Sequence, residues 1–272
     1  MIRSVNILKM WRFITALLLC TCIACVIPGC SISGRKAEQP YKIGVLIPFT
    51  GNLSHNGQNI LRGIELYLNE VSWKAGGREI KIVTEDSEGN GQVCLQKVRK
   101  LVEKDRVDIL TGVASSSEAY AIRDYVVNKK VPLIIANAGA SDLTRERRDK
   151  FIFRVSFSNG QSEYSMGTYA YNPLGFRKVA IIATDYAAGH ESATGFMDAF
   201  KAFGGEIVQE IYPKMGTTDF GPYLGQIKQV DAIWVFLVGN DSISFMKQYE
   251  EYGFKKKIPL MGTGGFADEY VC

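Results

Sequence analysis

The sequence predicts an α/β protein built on parallel sheets, and two observations indicate it. From Tyr41 onward, short β-branched or aliphatic runs alternate with amphipathic stretches, which is the order typical of parallel sheets covered by helices. After about residue 155 the alternation starts again. Gly76-Gly77 and Gly204-Gly205 also stand at corresponding places before a predicted strand, where glycine suits the left-handed cap of a helix. The chain is therefore expected to contain two similar α/β units.

The first unit, residues 41–157, is expected to hold short strands separated by packing helices. In the first helix, about 57–71, apolar residues recur every three or four positions, which places them on one stripe that covers a sheet face. That stripe is Ile60, Ile64, Tyr67, Leu68 and Val71. The next two helices turn Val93, Val98, Leu101 and Val102, and then Ala119, Ile122, Tyr125 and Val126, toward the core. The strands are predicted at 42–47, 79–84, 107–111 and 131–135.

The second unit, residues 158–272, repeats the alternation of helices and strands. Alternation suits parallel pairing, because parallel strands need a crossover connection. The helices are predicted at about 162–171, 190–203, 220–228 and 242–252. The strands are predicted at 179–184, 206–211, 232–238 and 258–261.

Residues 1–30 have the order of a bacterial secretory signal that ends in a lipoprotein cleavage box. Three basic residues precede the uncharged run 13–27, and a small glycine stands directly before Cys30. Cys30 is therefore predicted to be lipidated and to become the N-terminus of the processed protein. The lipid would tether an exported protein in the periplasm or cell envelope.

Two alternatives to lipidation at Cys30 stay open. One is a retained membrane anchor, although a span needs about 20 apolar residues and the apolar run here is shorter. The other is a different acceptor, Cys20 or Cys25, but the box before Cys25 lacks a branched aliphatic residue at its first position. The polar segment 31–40 has no periodicity and is expected to be a flexible tether.

Composition excludes several functional classes. Of the six cysteines, only Cys30, Cys94 and Cys272 lie beyond the predicted signal sequence or at its end, too few for a disulfide scaffold. The 32 Lys and Arg against 28 Asp and Glu become nearly balanced once the three basic residues of the signal are removed, so no nucleic-acid partner is indicated. No zinc-ligand spacing, phosphate-binding loop or nucleophile elbow occurs. Neither a metal nor a cofactor is expected, and the chain is predicted not to be an enzyme.

Function is expected in the loops that follow the strands, because ligands of open parallel sheets bind beyond the carboxyl ends of the strands. Here these loops are small, hydroxylic and rich in glycine. They are 48–57, 112–117 and 136–141 in the first unit, and 184–189 and 239–241 in the second.

Two of these loops carry specific candidates. Ser115, Ser116 and Ser117 stand where a strand turns into a helix, so their hydroxyl and amide groups would offer an anion, such as a carboxylate, several donors at the positive end of the helix dipole. The alternative is that a serine here only caps its own helix. Tyr186, in the second unit, is expected either to contact a ligand or to pack against its own unit.

A series of short motifs recurs in order along residues 41–270. In the first unit they are 42–51 with Gly57 and Gly63, 114–117, 131–134, 142–144 and Phe153-Arg154. In the second unit they are 178–182, Gly189, Gly195-Phe196, Gly204-Gly205, 218–220, Leu224 and Asp231-Ala232. No motif is specific alone, but their order and spacing resemble the type 1 periplasmic binding proteins, and most closely the leucine/isoleucine/valine-binding branch that serves ABC importers.

The resemblance implies two Rossmann-like lobes, an N-terminal lobe at 41–157 and a C-terminal lobe at 158–272, joined by crossover strands. Such lobes close on a small ligand by a hinge motion. The implied function is that of a lipid-anchored, extracytoplasmic solute-binding protein that passes a small carboxylate, either a branched-chain amino acid or an aromatic or other organic acid, to an ABC permease in the inner membrane. The family continues past residue 272, so the C-terminal lobe is expected to be incomplete and the chain to be C-terminally truncated.

The resemblance also implies the contacts of the ligand. In the amino-acid binders the ligand carboxylate is held by a serine that matches Ser116 and by groups that match Ala138 and Gly139, where Gly139 replaces a threonine. The further ligand-binding positions expected here are Ser115, Asn137, Asn56, Tyr186 near Ala188, and Val238.

One departure from the family bears on the ligand. Gly264 stands where the amino-acid binders carry a glutamate for the ligand ammonium, and a buried ammonium without a carboxylate is heavily penalised. Unless Asp241, Asp268 or Glu269 replaces that glutamate, an α-amino acid is expected to bind poorly. Three runs look more like a subgroup associated with aromatic or other organic acids, namely 136–140, 157–159 and 185–189.

Two other functions stay open. The same pair of lobes could report ligand occupancy to a separate signalling partner instead of a permease. A serine-dependent hydrolase is the enzymatic alternative, although neither of the two histidines, His55 and His190, lies beside a strand-end serine or cysteine in the sequence. A fold alone does not decide between these functions.

Overall fold

Two separate sheets organise the part of the chain that the computed structural model describes, residues 39–263 and residue 266. The strands are β1 (Tyr41–Ile47), β2 (Lys74–Ala75), β3 (Arg78–Asp86), β4 (Ile109–Gly112), β5 (Leu133–Ile135), β6 (Ile152–Arg154), β7 (Lys178–Ala183), β8 (Glu206–Ile211), β9 (Ala232–Phe236) and β10 (Leu260–Gly262). The first sheet has the order β2-β3-β1-β4-β5-β6 and the second β10-β9-β7-β8. Both lie in one compact unit that begins at Pro40.

Helices cover these sheets. They are α1 (Ser54–Glu70), α2 (Gly91–Arg99), α3 (Ser116–Lys129), α4 (Gln161–Tyr171), α5 (Ala187–Ala202), α6 (Gly221–Leu224) and α7 (Asn240–Glu251). A π-helical turn, Lys100–Lys104, extends α2, and a 3-10 turn, Ser141–Thr144, follows β5. None of the helices in the described ranges is long and apolar enough to cross a membrane.

Strand pairing confirms the predicted α/β fold class. In the first sheet β1 pairs in parallel with β3 and β4, and β4–β5 and β5–β6 are parallel as well. In the second sheet every pair is parallel. All the carboxyl ends within each set of parallel strands therefore meet at one edge, where the loops predicted to carry function emerge.

The central strands of the second sheet are buried on both faces. Along β7, Val179, Ile181 and Ala183 pack into one apolar cluster and Ala180 and Ile182 into the other. Helix α5 covers the first cluster and α7 the second, through Phe196 and Phe245 respectively. This continuous apolar run is what a strand needs when both of its faces are covered.

An antiparallel pair at the edge of the first sheet was not predicted. Lys74 and Ala75 form β2, which pairs with the start of β3, and Gly76-Gly77 make the turn between the two strands with φ of +56° and +84°. The interpretation of Gly76-Gly77 as a helix cap is therefore wrong, because α1 ends six residues earlier, at Glu70. The corresponding prediction for Gly204 is confirmed, since it follows α5 with φ of +96° and donates to Lys201 O.

One residue of the stripe predicted on α1, Tyr67, faces solvent, whereas Leu68 is buried and Ile60, Ile64 and Val71 are half-buried. Gly57 and Leu68 are the buried residues of this helix, whereas the side chain of Tyr67 is 63% exposed. Consecutive residues lie about 100° apart around a helix, so turning Leu68 to the sheet turns Tyr67 toward solvent. The predicted sheet contact of Tyr67 is therefore wrong.

Several predicted elements are shorter in the structure, and for two of them the sequence supplies the reason. The helix expected at 220–228 is a single turn, α6, in which Pro222 stands near the start and Gly225 directly follows the last residue. The strand expected at 131–135 begins only at Leu133, because Pro132 has no N–H with which to join the ladder. The predicted signal 1–30 with its lipidation site Cys30, and most of the tether 31–40, lie outside the described residues.

Candidate ligand-binding cleft

A cavity of about 610 Å³ lies where loops from both sheets converge. Residues that follow β1, β4, β5, β7 and β9 line it, which is the edge that the sequence indicated. Six of the predicted contact residues border this one cavity, namely Asn56, Ser116, Asn137, Gly139, Tyr186 and Val238. Ligand pockets in proteins commonly measure about 300–1,000 Å³, so the cavity has room for a small metabolite.

Ser116 is the first residue of α3 and borders the cavity. Its Oγ accepts a hydrogen bond of 3.0 Å from Asn159 Nδ2, which leaves the hydroxyl proton of Ser116 available to a ligand. The first N–H groups of a helix have no partner within the helix, and the helix dipole is positive at this end. Ser116 therefore offers an anion a hydroxyl and a backbone donor together.

Asn159 connects Gly139 to Ser116 in the wall of the cavity. The backbone N–H of Asn159 donates to Gly139 O at 2.9 Å, and Asn159 Nδ2 contacts Ser116 Oγ. A Cβ on Gly139 would overlap with Asn159 Oδ1 and lie 2.8 Å from the ring of Phe157. A side chain does not fit here, so the position can contribute only its backbone.

Two predicted contacts do not border the cavity. The N–H of Ala138 donates to Val113 O at 3.0 Å, so the role predicted for the Ala138 amide is wrong. The N–H of Ser115 donates to Glu118 Oε2 at 2.9 Å, and Ser115 is 2% exposed. Ser115 thus caps helix α3, as the alternative interpretation of these serines proposed.

The second sheet supplies an apolar wall with one hydroxyl. Tyr186 packs its ring against Phe236, with centroids 6.3 Å apart, and Leu237 and Val238 continue the wall. Burial raises the pKa of the Tyr186 hydroxyl well above its usual range, so that this group stays protonated and able to donate. An aromatic or aliphatic body would be well accommodated against these residues.

The rim of the cavity is bridged by Asn52, which follows β1. Its Nδ2 donates to Val238 O at 3.0 Å, and its Oδ1 accepts from Asn240 N at 3.1 Å. Gly239 between them has φ of +59°, and a Cβ there would overlap with Asn52 O. Only glycine suits this backbone conformation and close approach. The loops after β1 and β9 are thus in direct contact.

Comparison with known proteins identifies the family. A family model described as periplasmic binding protein matches residues 40–270. The chain belongs to the periplasmic binding protein family. The resemblance predicted from the sequence motifs is therefore confirmed.

Three similar proteins illustrate the relationship. An ABC transporter substrate-binding protein from Sphaerobacter thermophilus is 41% identical with a TM-score of 0.76, and the match covers 86% of this chain and 65% of that one. A solute-binding protein of an ABC transporter from Rhodopseudomonas palustris, solved with benzoate, is 32% identical with a TM-score of 0.80, covering 85% and 64%. Leu/Ile/Val-binding protein homolog 6 of Brucella melitensis is 29% identical over 233 residues, covering 84% and 59%. The chain thus spans 59–65% of these relatives.

Asp241, one of the three residues considered as an ammonium partner, does not border the cavity. Asp241 is 2% exposed and accepts from Gly216 N at 2.9 Å. Desolvation raises the pKa of Asp241 to about 6. Gly264, Asp268 and Glu269 lie outside the described residues.

An acidic side chain that the sequence did not single out does border the cavity. Glu163 lies in the first turn of α4, is 4% exposed, and its Oε2 has no hydrogen-bond partner in the described part of the chain. Asn159, just before α4, was likewise absent from the predicted contacts. Neither follows directly on a strand that leads to the cavity, so the rule that selects loops at strand ends passes over both.

The two histidines are placed apart. His190 pairs through Nε2 with Asp185 Oδ1 at 2.8 Å and stacks on Tyr212, and it does not border the cavity. His55 borders the cavity, and its Nε2 is 3.0 Å from Asn59 Nδ2. Within the described ranges, no cluster of three or more His, Cys, Asp or Glu could hold a metal ion.

Proposed function

We propose that this periplasmic binding protein is the solute-binding component of an ABC importer and that it holds a small aromatic or other organic carboxylate in the cavity. The observation that carries the proposal is the pairing of donors and apolar wall. Ser116 presents a hydroxyl at a helix N-terminus, while Tyr186 and Phe236 face the same cavity from the second sheet. A similar protein from Rhodopseudomonas palustris was solved with benzoate.

The proposed mode of action is reversible capture between two lobes, residues 41–157 and 158–272. Ser116 and the Gly139 backbone hold the carboxylate from the N-terminal lobe, and Tyr186 and Val238 cover its body from the C-terminal lobe. The hydrogen bonds of Asn52 to Val238 and Asn240 join loops of the two lobes and would have to break before ligand exchange. Lipid on Cys30 would anchor the protein in the cell envelope beside its permease.

Calorimetric titration with benzoate tests the proposal. Ser116→Ala removes a hydroxyl that bonds a charged group, and such bonds contribute about 1.5–3 kcal/mol, so we expect affinity to fall by at least tenfold. Ser117→Ala is the matched control, because Ser117 is the next residue of α3 and does not border the cavity. Failure of benzoate and other small carboxylates to bind, or equal losses in the two variants, would contradict the proposal.

A further inference from the structure

Glu163 is a buried carboxylate on the wall of the cavity, and one of its oxygens lacks a hydrogen-bond donor among the described residues. It is 4% exposed, and its Oε2 has no hydrogen-bond partner among the described residues. Buried polar atoms in native proteins are nearly always paired, and a buried charge without a partner is strongly unfavourable. An exception on a cavity wall points to a donor that arrives with a ligand.

The side-chain amide of Asn159, which borders the same cavity, does not supply this donor. Asn159 stands four residues before Glu163, just ahead of α4, but its Nδ2 already donates to Ser116 Oγ and to Glu191 Oε2, each at 3.0 Å. The N-terminus of α4 favours a negative charge at Glu163, because the helix dipole is positive there. That dipole stabilises the carboxylate without supplying Oε2 with a hydrogen bond.

The cavity therefore combines donors and an acceptor. Ser116 and Glu163 both border it, and Asn159 joins the segment that carries Glu163 to the Ser116 hydroxyl. A simple carboxylate bound at Ser116 would leave Glu163 Oε2 without a donor and would add a second negative charge to the same cavity. Like charges at close range in a poorly solvated site repel each other strongly.

We propose that Glu163 accepts a hydrogen bond from the ligand, so that the natural ligand is a small carboxylate that also carries a donor group, either a hydroxyl or an ammonium. The inference rests on the proposed function, since it assigns the carboxylate to Ser116. It adds a selectivity for substituted over unsubstituted acids, with Glu163 as the residue that recognises the substituent. An ammonium on the ligand would pair with Glu163, because Gly264 replaces the glutamate that serves this purpose in the amino-acid binders.

Calorimetric titration with three probes tests the role of Glu163. Benzoate has no donor besides its carboxylate, 4-hydroxybenzoate adds a hydroxyl, and L-leucine adds an ammonium. We expect the wild type to bind one of the two donor-bearing probes at least tenfold more tightly than benzoate. Whichever of these two probes binds more tightly shows whether the donor that Glu163 recognises is a hydroxyl or an ammonium.

Two variants assign this preference to Glu163. Glu163→Leu removes the acceptor and should abolish the preference while leaving benzoate affinity equal or higher. Glu163→Gln keeps the shape of the side chain and a neutral acceptor, so it should reduce the preference for the donor-bearing probe. This variant provides the test if Glu163→Leu does not fold. Glu251→Gln removes a charge from an exposed position of α7 away from the cavity and should keep the wild-type preference.

The outcomes separate this inference from the function on which it rests. If benzoate binds as tightly as both donor-bearing probes, or if the preference survives in both Glu163 variants, the role of Glu163 is refuted and the carboxylate-binding function stands. If none of the three probes binds the wild type, the proposed function fails and this inference fails with it.

Discussion

At the scale of single residues, Gly139 and Asn159 determine the shape of the corner of the cavity beside Ser116. Asn159 is 3% exposed and contacts Gly139 O, Ser116 Oγ and Glu191 Oε2 through its backbone and side-chain amides. It fills the space into which a side chain at position 139 would project. A side chain at position 139 is therefore incompatible with the observed position of Asn159.

Replacing Gly139 with alanine should disturb this corner. The added Cβ would overlap with Asn159 Oδ1, and overpacking of this kind costs about 1–3 kcal/mol of folding stability. Displacement of Asn159 would also release Ser116, so benzoate affinity should fall. Urea unfolding and calorimetric titration measure the two effects.

Gly63→Ala is the control for Gly139→Ala. Gly63 lies within α1 with nothing within 4 Å of an added Cβ, so alanine should stabilise the protein by up to about 1 kcal/mol through helix propensity. If Gly139→Ala has the same urea midpoint and the same benzoate affinity as the wild type, Asn159 does not hold this corner in place.

At the scale of elements, Glu191 of α5 ties three segments together. It accepts from the hydroxyl of Tyr120 in α3, from both the N–H and Oγ of Ser141 at 3.0 Å, and from Asn159 Nδ2. Burial and the bond to Glu191 raise the pKa of Tyr120 above its usual range. Helix α5 packs on the second sheet and α3 on the first, so this carboxylate connects the two layers beside the cavity.

Glu191→Gln should weaken that connection. The amide has only one oxygen with which to accept, so at least one of the four donors would lose its partner, and charge-assisted bonds contribute about 1.5–3 kcal/mol each. We expect a lower urea midpoint for this variant than for Glu250→Gln, whose exposed side chain pairs with Lys255 at 3.0 Å. Equal midpoints for the two variants would mean that the network around Glu191 adds nothing to stability.

Most elements were predictable because periodicity reports burial directly. The strand predicted at 206–211 coincides with β8, and the apolar run of β7 was recognised within one residue. The β2–β3 hairpin was missed because a pair of glycines suits a hairpin turn as well as a helix cap. The orientation of Tyr67 was missed because a stripe fixes the apolar side of a helix only to within a turn of about 100°.

The site was predictable only where topology alone places residues. Ser116, Gly139, Tyr186 and Val238 follow strands, and parallel strands bring such loops together. Glu163 reaches the cavity through the packing of α4, which no local pattern in the sequence encodes. The Ala138 amide was misassigned because its bond to Val113 O depends on how two neighbouring loops meet.

At the scale of the whole molecule, two parallel sheets direct their loop edges at one cavity of about 610 Å³. The first sheet contributes donors, the second contributes an apolar wall, and Asn52 joins the two at the rim. This arrangement suits a ligand with a charged end and an apolar body.

A crystal structure of the protein with the most tightly bound carboxylate tests the central claim most directly. We expect the ligand carboxylate within hydrogen-bond distance of Ser116 Oγ and the Gly139 N–H, with the ligand body against Tyr186 and Phe236. A carboxylate that lies outside this cavity, or that enters it with its apolar end toward Ser116, would contradict the claim.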